Sequence, residues 1–142
     1  MEIGFFGLSH LGLNYLAANA SRGHKVIGCD RDNNLIKDLT SGKKLFKEPF
    51  LFENLDKYKK NIRFTNNLKD LKKIKIIFIS SDVKTDSSGK SNLRFIKRDI
   101  DSLRKALPEK NLIIMSQVNP GFTKDIVWNK DKLFYQVETL VF

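Results

Sequence analysis

The sequence predicts an α/β domain built on a doubly wound parallel sheet with helices on both faces. Short, nearly all-apolar segments recur along the chain, the clearest at residues 74–79, Ile-Lys-Ile-Ile-Phe-Ile. Such segments are typical of parallel strands that are buried on both sides. Between them, apolar residues repeat at helical spacing, as in residues 93–107. Strands that alternate with helices at this pitch form a parallel sheet covered by helices.

The first thirty residues contain a strand, a glycine turn, a helix and a second strand. Apolar residues 3–6 lead into the turn Gly7-Leu8-Ser9-His10-Leu11-Gly12, a helical pattern follows, and the strand at residues 25–29 ends at Asp30. In dinucleotide-binding folds, such a turn brings the pyrophosphate to the helix N-terminus, and an acid after the second strand binds the adenosine ribose. We therefore predict a dinucleotide site in this stretch.

Each part of this stretch has a physical role. Gly7 permits a tight turn, and Gly12 allows the helix and the sheet to approach closely. Asp30 accepts hydrogen bonds from a ribose and repels a 2′-phosphate, which favours NAD over NADP. The adjacent Arg31 keeps NADP as an alternative, because an arginine there can accommodate that phosphate. Ser9 stands where the motif has its middle glycine, so its Cβ crowds the phosphates or its hydroxyl donates to them. The alternative is that the glycines only form a turn in a fold that binds nothing.

The remaining elements follow from the same patterns. Further helices are predicted at residues 33–39, 51–60, 93–107 and 122–130, and further strands at 62–65, 74–79, 112–115 and 133–142. Phe95 lies at core spacing in the helix at 93–107, and the helix at 122–130 contributes Ile126, Val127 and Trp128 to the core. Polar loops leave the strands at residues 80–89 and 116–121. Ligands bind at such carboxyl strand ends, but each polar residue there fits a solvated turn equally well.

Composition restricts the class of protein. No apolar run approaches the roughly 18 residues that span a membrane, and the N-terminus lacks a signal-peptide pattern, so we expect a cytoplasmic protein. The net charge of +10 comes from lysines spread along the chain, which predicts solvated helix faces and no specific nucleic-acid partner. The single cysteine, Cys29, fits a buried apolar site, and no Cys/His spacing indicates a metal site.

Length and ending bear on the domain organisation. The 142 residues predict a single domain large enough to bury a core. The chain stops within an apolar run, without a polar tail. We therefore expect it to be a piece of a longer protein.

Several separated motifs occur in the order found in one enzyme family. They are residues 3–13, residues 23–30, Ser41-Gly42 with Glu48-Pro49, residues 63–65, residues 77–79 with Thr85-Asp86 and Gly89-Lys90, and residues 116–121. These motifs extend over essentially the whole chain. Because of them, the sequence resembles the N-terminal domain of the UDP-glucose/GDP-mannose dehydrogenases, the nucleotide-sugar 6-dehydrogenases.

The resemblance implies a Rossmann-like NAD-binding fold and a two-step oxidation of a sugar C6 alcohol to a carboxylate. It implies NAD as cofactor, a nucleotide sugar as substrate with a UDP-sugar as the first expectation, and a homodimer in the full-length protein. In the family, the catalytic cysteine, lysine and asparagine lie in a linker helix and a second, sugar-binding domain. The resemblance therefore implies that residues 1–142 are inactive alone.

The resemblance also implies roles for individual positions. The residues that wrap the pyrophosphate are Gly7, Ser9, His10, Leu11 and Gly12, and those at the adenosine ribose are Asp30 and Arg31. The residues near the nicotinamide are Ser80, Ser81 and Thr85. Gln117 and Glu138 occupy the positions of a family threonine and glutamate that position a water or the thioester during hydrolysis. Asp82-Val83-Lys84 replaces the usual glycine-threonine-proline.

Two other functions remain open at this point. The first is a degenerate Rossmann module that serves binding or assembly without catalysis, in which Ser9 and Asp82 would be signs of lost cofactor binding. The basic composition leaves nucleic-acid binding as the weakest alternative.

Overall fold

Residues 1–137 form a six-stranded sheet in which all strands run parallel. The computed structural model describes residues 1–137 of the 142-residue chain. The strands are β1 (Glu2–Phe6), β2 (Lys25–Cys29), β3 (Ile62–Thr65), β4 (Ile76–Ile79), β5 (Asn111–Ile114) and β6 (Leu133–Tyr135). Their order across the sheet is β3-β2-β1-β4-β5-β6. The direction of winding reverses between β1 and β4, which is where ligands bind in open α/β sheets.

In the described part of the chain, four α-helices connect the strands, together with short 3₁₀ turns. The helices are α1 (His10–Ser21), α2 (Asn33–Thr40), α3 (Leu51–Lys57) and α4 (Arg94–Ala106). The 3₁₀ turns span Lys59–Asn61, Leu68–Leu71, Phe122–Asp125 and Lys130–Lys132. No helix among residues 1–137 is both long and apolar enough to cross a membrane.

Two hydrophobic cores lie on opposite faces of the sheet. On one face, Ile96, Ile100 and Leu103 of α4 pack with Ile77 and Ile79 of β4. On the other face, residues from α1, α3 and the strands form the second core, which includes Ile3, Phe5, Leu13, Leu16 and Leu55. Buried apolar residues on both sides are what a central parallel strand requires. The predicted fold class, a doubly wound parallel sheet with helices on both faces, is therefore confirmed.

The prediction of a helix at residues 122–130 was wrong. The segment forms one 3₁₀ turn at Phe122–Asp125 and then becomes extended at Ile126. The Lys130 ammonium group donates to the carbonyls of Thr123, Lys124 and Ile126. These carbonyls are therefore hydrogen-bonded without the amides that a further helical turn would supply.

The core prediction for this segment was correct for two of its three residues. The indole N–H of Trp128 donates to the Lys110 carbonyl at 3.1 Å, which fixes the extended path. Ile126 and Trp128 are buried, but Val127 is 71% exposed and does not enter the core. Extended backbone points neighbouring side chains to opposite sides, which accounts for this alternation.

Several other boundaries and positions differ from the sequence predictions, and the strand predicted at 74–79 begins only at Ile76. Phe95 is 45% exposed, because it lies in the first turn of α4 beside a surface groove and not over the sheet. The helix predicted at 51–60 ends as an α-helix at Lys57 and gives way to a 3₁₀ turn. The strand predicted at 133–142 is regular over Leu133–Tyr135, and residues 138–142 lie outside the described residues.

Candidate functional site

A surface groove lies at the carboxyl ends of β1, β2 and β4 and beside the first half of α4. Its volume is about 330 Å³. The residues that line it come from the glycine turn, the segment after β2, the segment after β4 and α4: Phe6, Gly7, Leu8, Ser9, Asp30, Arg31, Asp32, Leu35, Ser81, Asp82, Phe95, Arg98 and Asp99. The groove is therefore at the reversal point of the sheet.

Both predicted glycines are needed for close approach at the turn. Gly7 has a φ of 82°, and a Cβ there would overlap the Ser81 hydroxyl and lie 2.7 Å from the Ser81 nitrogen. A Cβ on Gly12 would overlap the Ser80 hydroxyl and lie 2.9 Å from the Ser80 Cβ and 3.0 Å from the Gly7 oxygen. The close packing of helix against sheet that we predicted at Gly12 is therefore present.

Ser9 is the N-cap residue of α1. Its backbone is extended, with φ −66° and ψ 172°, and its Oγ accepts a hydrogen bond from the Gly12 N–H at 3.2 Å. The hydroxyl proton stays available to an anion, because Oγ acts here as an acceptor. The first backbone N–H groups of a helix have no intrahelical acceptor, so the amides of His10 and Leu11 supply further donors at this helix end.

The Asp30 carboxylate is held at the mouth of this turn. Its Oδ2 accepts from the Leu8 N–H at 2.7 Å, and its Oδ1 accepts from the Asp32 N–H at 2.9 Å. Each carboxylate oxygen has a second lone pair, which is free to accept from a ribose hydroxyl. Asp30 therefore lies toward the helix N-terminus, as a ribose-binding acid must.

Ser80 and Ser81 leave β4 in different roles. Ser80 is 2% exposed, and its hydroxyl donates to the Gly7 carbonyl at 2.5 Å, so it supports the turn from below. Ser81 lines the groove and donates to Asp99 Oδ2 at 2.8 Å. The Ser116 hydroxyl donates to the Ser81 carbonyl at 2.6 Å, which ties the ends of β4 and β5 together.

Asp99 is one of the groove residues that sequence reasoning missed, together with Phe6, Leu8, Asp32, Leu35, Phe95 and Arg98. Asp99 lies on α4 and is 7% exposed, with Oδ1 2.8 Å from the Arg31 Nε. A signal was present in the sequence, because an acid three residues after Ile96 falls on the apolar face of the helix. An acid on such a face needs polar partners, and these are Arg31 and Ser81.

The other predicted site residues do not line the groove. His10 pairs with Glu48 at 2.6 Å, and its ring packs edge-on against Phe46. Thr85 forms an isolated bridge with Ser91 in an exposed loop. Leu11 is half-buried, and Gln117 is exposed after β5. Glu138 lies outside the described residues.

The thiol of Cys29 is not a reactive group. The residue is fully buried at the end of β2. Burial, reinforced by the neighbouring Asp30 charge, raises the pKa of the Cys29 thiol to about 12, so it stays protonated at neutral pH. The prediction of a buried, apolar cysteine is confirmed. Within residues 1–137, no cluster of three or more potential ligands could hold a metal ion.

The donors and acceptors in the groove match the parts of a dinucleotide. The N-terminus of α1 offers amide donors and a positive dipole of the kind that binds a pyrophosphate, and the Asp30 carboxylate lines the same groove. The charged residues that line the groove are Asp30, Asp32, Asp82 and Asp99, with Arg31 and Arg98. The negative balance disfavours an additional phosphate on the ribose.

Comparison with known proteins agrees with this geometry. The UDP-glucose 6-dehydrogenase AglM of Haloferax volcanii is 25% identical over 132 residues, covering 89% of this chain and 31% of AglM. The UDP-D-ManNAc dehydrogenase of Pyrococcus horikoshii matches with a TM-score of 0.87 and 22% identity, over 99% of this chain and 37% of that one. A ternary complex of GDP-mannose dehydrogenase from Pseudomonas aeruginosa matches with a TM-score of 0.84 and 22% identity, over 96% of this chain and 35% of that one. The structural matches show a shared fold.

The chain thus spans about a third of the length of these proteins. Residues 1–137 match the UDP-glucose/GDP-mannose dehydrogenase family, NAD binding domain. This match confirms the resemblance based on the motifs and the prediction that NAD is the cofactor. The chain therefore belongs to the UDP-glucose/GDP-mannose dehydrogenase family, as its NAD binding domain.

Proposed function

We propose that this chain is the cofactor-binding part of an NAD-dependent nucleotide-sugar 6-dehydrogenase. The enzyme oxidises a sugar C6 alcohol to a carboxylate, and bound NAD supplies the hydride acceptor in each of the two steps. The names of the relatives support the substrate class, since AglM is a UDP-glucose 6-dehydrogenase and the Pyrococcus protein a UDP-D-ManNAc dehydrogenase. A UDP-sugar is therefore the first substrate to test.

The observation that carries the proposal is the position of Asp30 beside the N-terminus of α1. The Leu8 N–H holds one oxygen of this carboxylate at 2.7 Å, so acid and helix end face the same groove. A pyrophosphate at the helix end and a ribose on the acid are adjacent parts of one NAD molecule. The two groups are thus arranged for a single ligand.

The proposal assigns roles to the other predicted residues. Those at the pyrophosphate are Gly7, Ser9, His10, Leu11 and Gly12, and those toward the nicotinamide are Ser80, Ser81 and Thr85. Ser80 acts there by supporting the turn through its bond to Gly7. Gln117 and Glu138 help to position the water or thioester of the second step.

The proposal also covers the setting of the enzyme. Residues 1–142 form one domain of a longer protein, in which a linker helix and a sugar-binding domain follow. The full-length protein is a cytoplasmic homodimer that supplies sugar acids for polysaccharide synthesis. The basis for this setting is the family membership of the chain.

Calorimetric titration with NAD tests the proposal. Asp30→Ala removes the ribose acceptor, and hydrogen bonds to a charged group contribute about 1.5–3 kcal/mol, so NAD affinity should fall by roughly tenfold or more. Asp101→Ala is the matched control, because this carboxylate is 61% exposed on α4 and does not line the groove. The proposal fails if millimolar NAD gives no heat with the unmodified chain, or if both variants bind equally well.

One observation favours a second function. The Asp82 carboxylate, exposed on the groove wall, adds negative charge where phosphates would lie. A degenerate Rossmann module for binding or assembly would tolerate this charge. Absence of NAD binding by a folded chain, with restoration by Asp82→Gly, would favour that alternative.

A further inference from the structure

Arg31 spans the groove from the end of β2 to helix α4. Its Nε donates to Asp99 Oδ1 at 2.8 Å, and one of its terminal nitrogens donates to the Ser102 hydroxyl. The guanidinium also lies over the Phe6 ring, 5.6 Å from its centroid. Arg31 is thus held by α4 on one side and by an aromatic face on the other.

Asp99 is itself fixed and largely shielded from solvent. Its side chain is 10% exposed, compared with 40% for that of Arg31. Both of its oxygens are used, since Oδ1 accepts from Arg31 and Oδ2 accepts from Ser81 at 2.8 Å. A second guanidinium, that of Arg98, is farther away at 3.8 Å. Arg31 is therefore the principal cationic partner of a carboxylate that burial would otherwise destabilise.

The position of Arg31 makes this pairing important for cofactor choice. It directly follows Asp30, the acid beside the ribose, and an arginine near that acid is the group that accommodates a ribose 2′-phosphate. The guanidinium fork is well suited to bind phosphate through two parallel hydrogen bonds. Here the fork is directed to Asp99 and Ser102, and the carboxylate neutralises its charge.

We propose that Asp99 is a specificity-determining residue, which holds Arg31 against α4 and so excludes NADP from the groove. The inference rests on the proposed dinucleotide function and extends it to a residue outside the glycine turn. Asp99 acts through Arg31 and does not contact the cofactor. Asp30 repels the 2′-phosphate directly, and Asp99 withholds the cation that would offset that repulsion.

The test measures the affinities for NAD and NADP by calorimetry on the whole chain. Asp99→Asn keeps the shape of the side chain but removes the charge that holds Arg31. Freed to form charge-assisted bonds with the 2′-phosphate, Arg31 should lower the Kd for NADP by about tenfold, with NAD affinity changed by less than about threefold. Combining Asp99→Asn with Arg31→Gln should abolish the gain, because the responding cation is then absent.

Two further variants make the result decisive. Asp101→Asn removes an exposed charge from the same helix and should leave the NADP/NAD ratio unchanged. Asp99→Leu fits the apolar surface formed by Ile96, Ile100 and Leu103, so it provides a stable alternative if the asparagine variant unfolds, and it should give the same tenfold gain.

The outcomes separate this inference from the proposed function. An unchanged NADP/NAD ratio in folded Asp99 variants overturns the inference while NAD binding still stands. A gain that persists when Arg31 is replaced also overturns it, because loss of the Asp99 charge alone would then account for the effect. Failure of the unmodified chain to bind either dinucleotide overturns both.

Discussion

Replacing Gly12 by alanine tests how tightly α1 packs against the end of β4. A Gly→Ala change inside a helix normally stabilises it by up to about 1 kcal/mol. Here the new Cβ would overlap the Ser80 hydroxyl and lie 2.9 Å from the Ser80 Cβ. The Gly7 oxygen, at 3.0 Å, blocks movement in another direction. The steric effect therefore opposes the helix propensity, and the sign of the stability change decides between them.

The structure gives an approximate size for the steric cost. Overpacking of this kind costs about 1–3 kcal/mol, and displacing the buried hydrogen bond from Ser80 to Gly7 costs about 1 kcal/mol more. After subtracting the propensity gain, Gly12→Ala should lower the free energy of unfolding by about 1–3 kcal/mol. For a chain of this length, each kcal/mol corresponds to a fall in Tm of about 4 °C.

A double-mutant cycle with Ser80→Gly isolates the contact. Ser80→Gly removes both Ser80 atoms that the new Cβ meets, so it should recover about 1 kcal/mol or more of the loss, measured by urea unfolding. NAD titration of the same variants reports whether the turn moves when the helix is displaced. A rise in Tm on Gly12→Ala, or a coupling energy near zero, would refute the packing argument.

Two other residues give direct tests. Ser9→Gly removes the Cβ at the phosphate position, so NAD should bind severalfold more tightly in calorimetry, while the lost cap costs only a few tenths of a kcal/mol. Weaker binding would show that the hydroxyl donates to the cofactor. For Cys29, the folded thiol has a pKa of about 12 against an ordinary 9.0, so its stabilising contribution is complete below about pH 9 and is lost as the pH rises toward about 12. Unfolding experiments across this range should show a shallower decline for Cys29→Ala, and a thiol reagent at pH 8 should label the native protein only after urea is added.

The strands were predictable because their signals are local. The predicted bounds of β2 and β3 match the structure, since apolar or β-branched residues coincide with each pairing segment. The Gly7 turn and the Asp30 position also followed from short-range sequence. Each of these signals lies in a short run of residues, although the contacts that use them, such as Leu8 with Asp30, span the fold.

The features that were missed depend on distant contacts. Arg31 and Asp99 are 68 residues apart and meet only when β2 and α4 are placed in the fold. The helix predicted after Gly121 fails because Trp128 bonds to Lys110, 18 residues earlier. Phe95 has the spacing of a core residue, but its place at the start of α4 puts it at the groove. Periodicity does not carry such information.

The anchoring of Asp30 has a consequence for the thermodynamics of binding. Two backbone amides hold the carboxylate in one orientation before any ligand arrives. A side chain that is already immobilised loses little rotamer entropy on association, whereas ordering a free one costs about 0.5–1.5 kcal/mol. One of these two amides, that of Leu8, is in turn unavailable to the pyrophosphate. The turn thus exchanges one phosphate donor for a preorganised ribose acceptor.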